Sequence, residues 1–474
     1  MTKKAFLICM VFFIMSVAVY GGGFALSGVG SKAIGMGGAF RGLADNWSAA
    51  YWNPAGLAQL SQSELNMMAI TITPMPEYKP DITYDGFDVG YKNGEFRYPK
   101  YKTHFAPNGS GFYKIANKED ITFGVAIFAP YALGSDWDIF DPIYNDVVVP
   151  FPEIDHGANL KVVDIHPSFA KSFMDNQLMV GAGFSFMRGE IDFQKTVLIP
   201  TSLPRPHDNA AINAFLHGEG WGYGANFGIL YKLSDNLQLG ISGKTPATLK
   251  LDGENNSTLY AIDNISLQQT AIRQASNAAE LALIDFIFST EEVGAPSWTR
   301  EASADLKLPA DIGLGIAYKA TEKMTLTMDF SYTLWSGLDS ILINLEGADP
   351  PAYDSTQNTS VIRTQWEDIF RFSAGGLYQV FDPFQLRFGF YMDPSPIPDE
   401  TFSPLFMDIG TKYSGNIGAA ISVSGWEIGC NFEYIHFSER EIINETSNSF
   451  DFDNYPGLFR AYLIANHLSI TYRF

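Results

Sequence analysis

The sequence predicts an all-β protein, a transmembrane, 14-stranded antiparallel β-barrel whose lumen is plugged by an N-terminal hatch. Three observations predict this class. The chain begins with an export signal, its patterned runs alternate between apolar and polar residues as far as Phe474, and short polar turns alternate with long segments. No stretch after the signal approaches the roughly 18 consecutive apolar residues of a membrane-spanning helix. Because only helices and closed barrels span lipid, strands are expected to make the crossing.

Residues 1–21 have the organisation of a secretory signal peptide. A short basic start is followed by an uncharged run over 5–20 and by three glycines, which matches the basic, apolar and small-residue regions of such signals. Val19 and Gly21 suit cleavage after Gly21. The alternative is an N-terminal membrane anchor, but a spanning helix needs roughly 20 apolar residues and this run is shorter.

Charge and cysteine content exclude several kinds of partner and site. The chain carries 31 basic and 52 acidic residues, and removal of the two lysines of the signal gives a net charge of about −23. This acidity argues against a nucleic-acid partner. Cys430 is the only cysteine after the signal, which excludes an intramolecular disulfide and a cysteine metal cluster. Aromatic residues reach 14% and glycines number 43, so the chain is either a barrel or a large soluble β protein.

Alternating runs distinguish a barrel from a soluble β protein. The last seven residues alternate strictly between apolar and polar and end on Phe474. Similar runs begin at Met324 and at Phe370. A soluble sheet also alternates when one face is buried, but these runs exceed the usual five or six residues of a soluble strand. The pattern therefore predicts strands with one face toward lipid.

Six short polar turns are predicted between the alternating runs. They lie at 117–120, 175–177, 234–236, 321–323, 382–383 and 424–425. The long segments fall near 74–102, 133–160, 191–218, 251–304, 337–366, 394–406 and 438–458. Bacterial barrels have short periplasmic turns and long extracellular loops. With both chain ends in the periplasm, each turn joins two strands and one strand is added at each end, so residues 62–474 are predicted to form 14 strands.

Residues 22–61 lack the period of a strand. Small residues, above all glycine, dominate this segment, and such a chain can pack closely against other backbone. A barrel of 14 strands encloses more space than its own side chains fill. The segment is therefore predicted to plug the lumen. A periplasmic tail is the alternative, for which Trp47, Tyr51 and Trp52 are too apolar.

The stretch from Gly37 to Ala58, GGAFRGLADNWSAAYWNPAGLA, resembles the N-terminal hatch of the FadL-type outer-membrane transporters of long-chain fatty acids and aromatic hydrocarbons. Within it, Asn53, Pro54 and Ala55 match the family's NPA element. The resemblance extends over further stretches at 104–115, 128–137, 220–246, 308–339 and, most specifically, 366–379 with 393–400.

This resemblance implies a passive transporter of the bacterial outer membrane and not an enzyme. In the family, a hydrophobic ligand binds among the extracellular loops and then in the upper lumen, the hatch rearranges, and the ligand leaves sideways beside a kink in the third strand. No cofactor takes part.

The implied partners are a long-chain fatty acid or another hydrophobic small molecule, outer-membrane lipid, and the barrel-assembly machinery, which recognises Phe474. A monomer is expected. Pro404, Leu405 and Phe406 depart from the family, which often has an Asp-Arg pair there.

Candidate ligand-binding residues follow from the chemistry of a fatty acid. Its carboxylate is costly to bury alone in an apolar lumen, so a basic partner is expected. Arg188 lies where the resemblance places a basic residue of the upper lumen, and Arg371 lies on the polar face of its strand. Phe24, Leu26 and Phe40 of the hatch complete the expected site. Alternatively, the two arginines belong to a lumenal network with acidic neighbours.

The third strand is expected to be interrupted at Ala129, Pro130 and Tyr131, because proline lacks the N–H of a ladder donor. The resulting gap is the expected lateral opening. Within the longest loop, 268–293 carries apolar residues at helical spacing. This helix is either a landing surface for ligand or packs on neighbouring loops.

Two other functions fit parts of the pattern. An outer-membrane lipase is one, but the sequence has no GxSxG motif. An assembly or secretion barrel is the other, and the stretches 366–379 and 393–400 favour transport over it.

Gly243-Lys244-Thr245 looks like the end of a phosphate-binding loop but lacks the required first glycine. The seven histidines show no metal-ligand spacing, so no metal site is expected.

Overall fold

The computed structural model describes residues 22–84, 87–100, 103–115, 121–143, 151–201, 203, 205, 208–260, 265–288, 297–347, 358–406, 408–443 and 454–474. In this part of the chain, 14 antiparallel strands form one closed barrel, which confirms the predicted 14-stranded antiparallel β-barrel. The predicted signal peptide, 1–21, and the first predicted turn, 117–120, lie outside the described residues. The other five predicted turns each join two consecutive strands.

The barrel strands follow one another around the wall in chain order. They are β1 (Glu64–Pro80), β2 (His104–Lys114), β3 (Ile121–Trp137), β4 (His156–Phe173), β5 (Leu178–Pro200), β6 (Asn209–Ser234), β7 (Leu237–Lys244 and Ala247–Tyr260), β8 (Ser297–Leu308 and Ala310–Thr321), β9 (Met324–Leu334 and Ser340–Glu346), β10 (Thr359–Arg363 and Ile369–Phe381), β11 (Phe384–Asp393), β12 (Lys412–Val423), β13 (Trp426–Phe437 and Arg440–Ile442) and β14 (Gly457–Arg473). The last strand closes the barrel on the first, in a register from Glu64 opposite Arg473 to Pro80 opposite Gly457.

Side chains alternate between an apolar outer face and a mixed inner face. In β9, Leu326, Met328 and Phe330 are exposed on the outside, whereas Thr327 and Asp329 are buried inside. This inversion of the usual burial pattern is what a wall with lipid on its outer side requires.

Strands β5 and β6 are longer than predicted, with 23 and 26 residues. The sequence predicted a loop over 191–218, yet the two strands remain paired as far as Pro200 opposite Asn209. Outward residues in this region, such as Glu190, are polar, and backbone pairing does not require apolar side chains. The lipid-facing alternation therefore ends before the strand does.

The N-terminal segment, residues 22–61, contains two short helices, α1 (Ser31–Gly35) and α2 (Ala49–Trp52), and the 3-10 helix Pro54–Gln59. Almost all of its apolar side chains are buried against the inner faces of the strands. The helices are short because glycines interrupt the segment, with Gly37 and Gly38 at positive φ directly after α1.

Inward-facing glycines let the barrel wall contact the backbone of this N-terminal segment. A Cβ atom added at Gly389 would lie 2.1 Å from the Gly37 nitrogen, and one added at Gly240 would lie 2.1 Å from the Arg41 carbonyl oxygen. Any side chain there would displace the segment, so the close approach depends on glycine.

The segment between β7 and β8 contains two helices, α3 (Ile265–Gln274) and α4 (Ala278–Ile287), where the sequence predicted one over 268–293. The break falls at Asn277, whose side chain accepts a hydrogen bond from the Glu280 N–H at 2.9 Å and caps α4. Residues 289–293 lie outside the described residues.

No helix in the described ranges is long and apolar enough to cross a membrane. The remaining elements are two 3-10 helices, Trp335–Gly337 and Asp399–Thr401, and a hairpin of Thr83–Tyr84 with Phe87–Asp88.

Candidate ligand-binding lumen

A cavity with a wholly apolar lining lies in the upper lumen. Its lining consists of Phe24, Leu133, Leu160, Ile191, Phe193, Leu216, Leu251, Ala304, Leu306, Ile341, Ile343, Ile362 and Phe406. Strands β3 to β10 supply the walls, the N-terminal segment supplies Phe24, and the loop between β11 and β12 supplies Phe406. Such a cavity suits a hydrocarbon, because a polar group would lose its hydrogen bonds there.

The loop between β11 and β12 is fastened to β3 above this apolar cavity. Trp137 Nε1 donates a hydrogen bond to the Pro404 carbonyl at 3.1 Å, and Ser135 Oγ donates to the Leu405 carbonyl at 3.2 Å. The triplet that departs from the family pattern thus provides two carbonyl acceptors and the Phe406 ring. It lines the apolar cavity instead of adding charge to it.

Aromatic rings form the floor of the apolar cavity. The Phe24 ring centroid lies 5.0 Å from that of Trp335, 5.4 Å from that of Trp366 and 6.0 Å from that of Tyr131. Phe24 is 1% exposed. Of these four rings, Phe24 lines the apolar cavity, whereas Trp335 and Tyr131 line a second, polar cavity.

The polar cavity holds charges of both signs. Arg371 lies over the Tyr391 ring at 4.0 Å, and its Nε and Nη2 atoms have no hydrogen-bond partner among the described residues. Lys244 lies over the Tyr51 ring at 3.2 Å. The sequence analysis considered Lys244 only within a phosphate loop, although the alternation of β7 places it on the inner face. Arg371 therefore offers two donors for an anionic group.

Strand β3 separates from β2 beside Pro130. The pairing of β2 with β3 ends at Gly109 opposite Ile127, although both strands continue. Toward β4, the register of β3 shifts between Phe128 and Tyr131. The barrel wall consequently has a gap between the upper parts of β2 and β3.

Beside this gap, the backbone of β3 bonds to the N-terminal segment instead of to β2. The Leu26 N–H donates to the Pro130 carbonyl at 3.0 Å, and the Ala132 N–H donates to the Phe24 carbonyl at 2.9 Å. A third cavity lies on the lumenal side of Pro130. The residues predicted for the ligand site and for the opening are thus in direct contact at this point.

The NPA element joins the N-terminal segment to β6. Asn53 Oδ1 accepts a hydrogen bond from the Ala55 N–H at 3.2 Å. Its Nδ2 donates to the carbonyls of Arg41 at 3.0 Å and Ile229 at 3.2 Å. Pro54 begins the 3-10 helix, a position where its missing N–H has no helical partner.

A buried ion pair holds the start of the described chain. The Gly23 N–H donates to Asp408 Oδ2 at 2.5 Å, and Lys412 Nζ lies 2.5 Å from Asp408 Oδ1. Both charged side chains are fully buried. Burial raises the pKa of Asp408 to about 6, although Lys412 and the Gly23 amide act in the opposite direction. The loop between β11 and β12 is thereby connected to the residue before Phe24.

Two of the predicted ligand-binding residues lie elsewhere. Arg188 follows the inward-facing Met187 in β5 and therefore points outward, where it forms an ion pair with Glu219 at 2.5 Å and lies 5.7 Å from the Trp221 ring. The expectation that Arg188 reaches the lumen is wrong, because strand alternation places it on the outer face. Phe40 is buried, but it lines none of these three cavities.

Three side chains with metal-ligand atoms meet on the outer face of β5 and β6. Ligand atoms of Glu190, Asp192 and His217 lie within 4.8 Å of one another. His217 Nδ1 lies 2.7 Å from the Asp192 carboxylate. Sequence spacing could not bring them together, because they belong to neighbouring strands.

Residues 12–473 match the sequence profile of a family described as outer membrane protein transport protein (OMPP1/FadL/TodX). The chain is 21% identical over 450 residues to a long-chain fatty acid transport protein of Escherichia coli O6:H1, covering 89% of this chain and 90% of that one. It is 21% identical over 375 residues to a 47 kDa outer membrane protein of Pasteurella multocida, covering 76% of this chain and 75% of that one.

Among solved structures, a Pseudomonas aeruginosa FadL homologue superposes with a TM-score of 0.75 at 18% identity, covering 95% of this chain and all of that one. The Pseudomonas putida toluene transporter TodX superposes with a TM-score of 0.67 at 14% identity, covering 94% and 99%.

Proposed function

The chain belongs to the outer membrane protein transport protein family, OMPP1/FadL/TodX, and on that premise we propose that it carries hydrophobic compounds, above all long-chain fatty acids, passively across the bacterial outer membrane. The observation that carries the proposal is the wholly apolar cavity inside a barrel whose wall is interrupted beside Pro130. The family is one of transport proteins, which favours transport over the lipase and secretion alternatives.

The apolar cavity is the proposed site of the alkyl chain. Each methylene moved from water into such a cavity gains about 0.8 kcal/mol, so an alkyl tail binds there without a specific polar contact. The ring of Phe24 closes the lower side of the cavity. Passage toward the gap therefore requires displacement of Phe24 and of the backbone attached to it.

Arg371 is the proposed partner of the carboxylate. Its two unbonded donor atoms lie in the polar cavity directly below the aromatic floor. A charge-assisted hydrogen bond to a carboxylate is roughly twice as strong as a neutral one. The two free donors of Arg371 favour a fatty acid, because an aromatic hydrocarbon such as toluene offers no group to pair with this arginine.

The gap between β2 and β3 is the proposed exit, and residues 22–61 are the proposed hatch. The hatch supplies backbone partners to β3 at Pro130 and Ala132, so its movement would free that part of the wall. Sideways release keeps the alkyl chain out of the aqueous periplasm, and each methylene retained in an apolar environment avoids a cost of about 0.8 kcal/mol.

The proposal is tested by uptake of labelled oleate into cells that lack their own fatty-acid transporter. We expect the expressed protein to restore uptake, and toluene entry measured in the same cells reports on the hydrocarbon alternative. Restoration of toluene entry without oleate uptake would replace the fatty-acid assignment. The absence of both activities, in cells whose outer membrane contains the folded barrel, would overturn the transport proposal.

A further inference from the structure

Lys244 is a lumenal cation that lies where two cavities adjoin. Its side chain lines the polar cavity, to which Arg371 belongs, and also the third cavity, to which Pro130 belongs. Tyr51 and Tyr131 line both cavities as well. A group that moves from Arg371 toward the gap beside Pro130 therefore passes Lys244.

The charge of Lys244 is not neutralised by the barrel wall. Asp311 lies opposite Lys244 in the strand register, but its carboxylate pairs with Arg41 at 2.5 Å. Asp164 lines the third cavity, but its carboxylate lies 3.1 Å from His166 Nδ1. Among the described residues, the Lys244 ammonium has neither an ion pair nor a hydrogen bond. A half-buried charge of this kind is expected to bind an anion.

The ring of Tyr51 is the group that Lys244 contacts in the absence of an anion. Lys244 Nζ lies 3.2 Å from the centroid of this ring. Such a cation–π contact is weaker than a charge-assisted hydrogen bond to a carboxylate. Because the ammonium is carried on a flexible four-carbon stem, it can exchange the ring for a ligand carboxylate in either cavity.

Tyr51 also connects Lys244 to the edge of the gap. The Tyr51 ring lies edge-on to the Phe128 ring of β3, with 5.5 Å between the centroids. Phe128 is the last paired residue of β3 before the register with β4 shifts toward Tyr131. Lys244, Tyr51 and Phe128 thus form one line of contacts from β7, through the N-terminal segment, to the interrupted strand.

We infer that Lys244 is a second carboxylate-binding residue, which receives the head group of a fatty acid from Arg371 and holds it beside the exit. The inference rests on the proposed function and deepens it, because it requires a ligand with an anionic head group. The carboxylate of Asp164 lines the same cavity, and its Oδ1 atom has no partner among the described residues. It opposes tight binding of another carboxylate, so Lys244 holds the head group in transit and Arg371 is its resting site.

The inference is tested by comparing the rate of oleate uptake with the affinity for oleate. Lys244→Gln removes the charge and keeps most of the side-chain length. We expect the initial rate of uptake to fall about tenfold, whereas equilibrium binding to the purified barrel stays unchanged, because Arg371 and the apolar cavity are intact. Lys244→Arg keeps the charge and should recover most of the rate. Lys250→Gln is the matched control, because Lys250 is exposed on the outer face of the same strand.

Methyl oleate distinguishes binding of the head group from a structural role. Its entry should be the same in Lys244→Gln and in the wild type, because the ester carries no charge. Equal losses for oleate and methyl oleate would overturn the inference, as would oleate uptake that Lys244→Gln leaves unchanged. Heat-modifiable mobility on gels confirms folding, and Lys244→Met is the alternative neutral variant. A wild type without oleate uptake would overturn the proposed function itself, which distinguishes that failure from failure of this inference alone.

Discussion

The Leu26 N–H donates a hydrogen bond of 3.0 Å to the Pro130 carbonyl, at the level where β3 has already left β2. An unpaired backbone group in lipid costs several kcal/mol, so this hydrogen bond from the N-terminal segment stabilises the wall. Movement of Leu26 away from Pro130 leaves that carbonyl without its partner. The position of the segment and the state of the gap are therefore coupled.

A disulfide across the gap is predicted to stop transport. Asn108 Oδ1 accepts a hydrogen bond from the Ala129 N–H at 3.3 Å, so these two positions face each other across the separating strands. In a Cys430→Ser background, the pair Asn108→Cys and Ala129→Cys should lose oleate uptake when oxidised and regain it on reduction. Oleate binding should persist, since the apolar cavity does not include these residues.

The control for this cross-link is each single cysteine variant, in which oxidation should leave uptake unchanged. Transport at the normal rate by the fully cross-linked double variant would show that the gap between β2 and β3 is not the exit.

A side chain at an inward glycine is predicted to displace the segment. Gly389→Val would place atoms where the Gly37 nitrogen lies, and overpacking of this kind costs about 1–3 kcal/mol. We expect higher conductance for small polar solutes in planar bilayers. Gly415→Val is the matched control, because a Cβ atom there meets nothing within 4 Å. Equal conductance in the two variants would count against a plug.

The strand pattern and the turns were predictable because alternation depends only on which face meets lipid. The positions of the five described turns and the count of 14 strands follow from that rule. The upper limits of β5 and β6 were not predictable, since pairing there continues past the apolar belt to Pro200 opposite Asn209. No local signal marks where such pairing stops.

The ligand site was predictable only in part. Glycine content and the NPA element pointed to the segment that carries Phe24 and Leu26, and both line lumenal cavities. Arg188 was misplaced because a resemblance in position does not fix which face of a strand a residue occupies. Trp335 and Phe406 come from an irregular turn and a loop, whose contacts arise only from the closed tertiary structure.

Stability is predicted to depend on Asp408 between pH 4 and pH 6. Its pKa is about 6 in the folded protein, compared with an ordinary value of 3.8, because the carboxyl is buried. Between these values the folded protein holds a proton that the unfolded chain releases. The free energy of unfolding should therefore fall as pH rises through this range, by at most about 3 kcal/mol, and stay level above it.

The measurement is urea unfolding in detergent micelles at pH 4.5 and pH 7, followed by tryptophan fluorescence. Asp408→Asn should lack this fall in the free energy of unfolding between pH 4 and pH 6. The difference between wild type and variant therefore isolates the contribution of this carboxyl from that of the other acidic residues. An identical pH dependence in both proteins would contradict the assignment.

Replacement of Arg371 is predicted to weaken binding of fatty acids but not of uncharged analogues. Nε and Nη2 of Arg371 have no protein partner in the described structure, so a ligand carboxylate is the group expected to bind them. Hydrogen bonds to charged groups contribute about 1.5–3 kcal/mol, which corresponds to a loss of about 10- to 100-fold in oleate affinity for Arg371→Gln. Binding of the methyl ester should stay unchanged, because the ester cannot form an ion pair.

Arg371→Lys should recover part of the affinity, since the ammonium supplies charge without the two-donor geometry. Arg188→Gln is the control, because its partner Glu219 lies on the outer face of the barrel and neither residue lines the three lumenal cavities described above. Equal losses for acid and ester in Arg371→Gln would mean that the arginine supports the structure of the lumen and does not bind the head group.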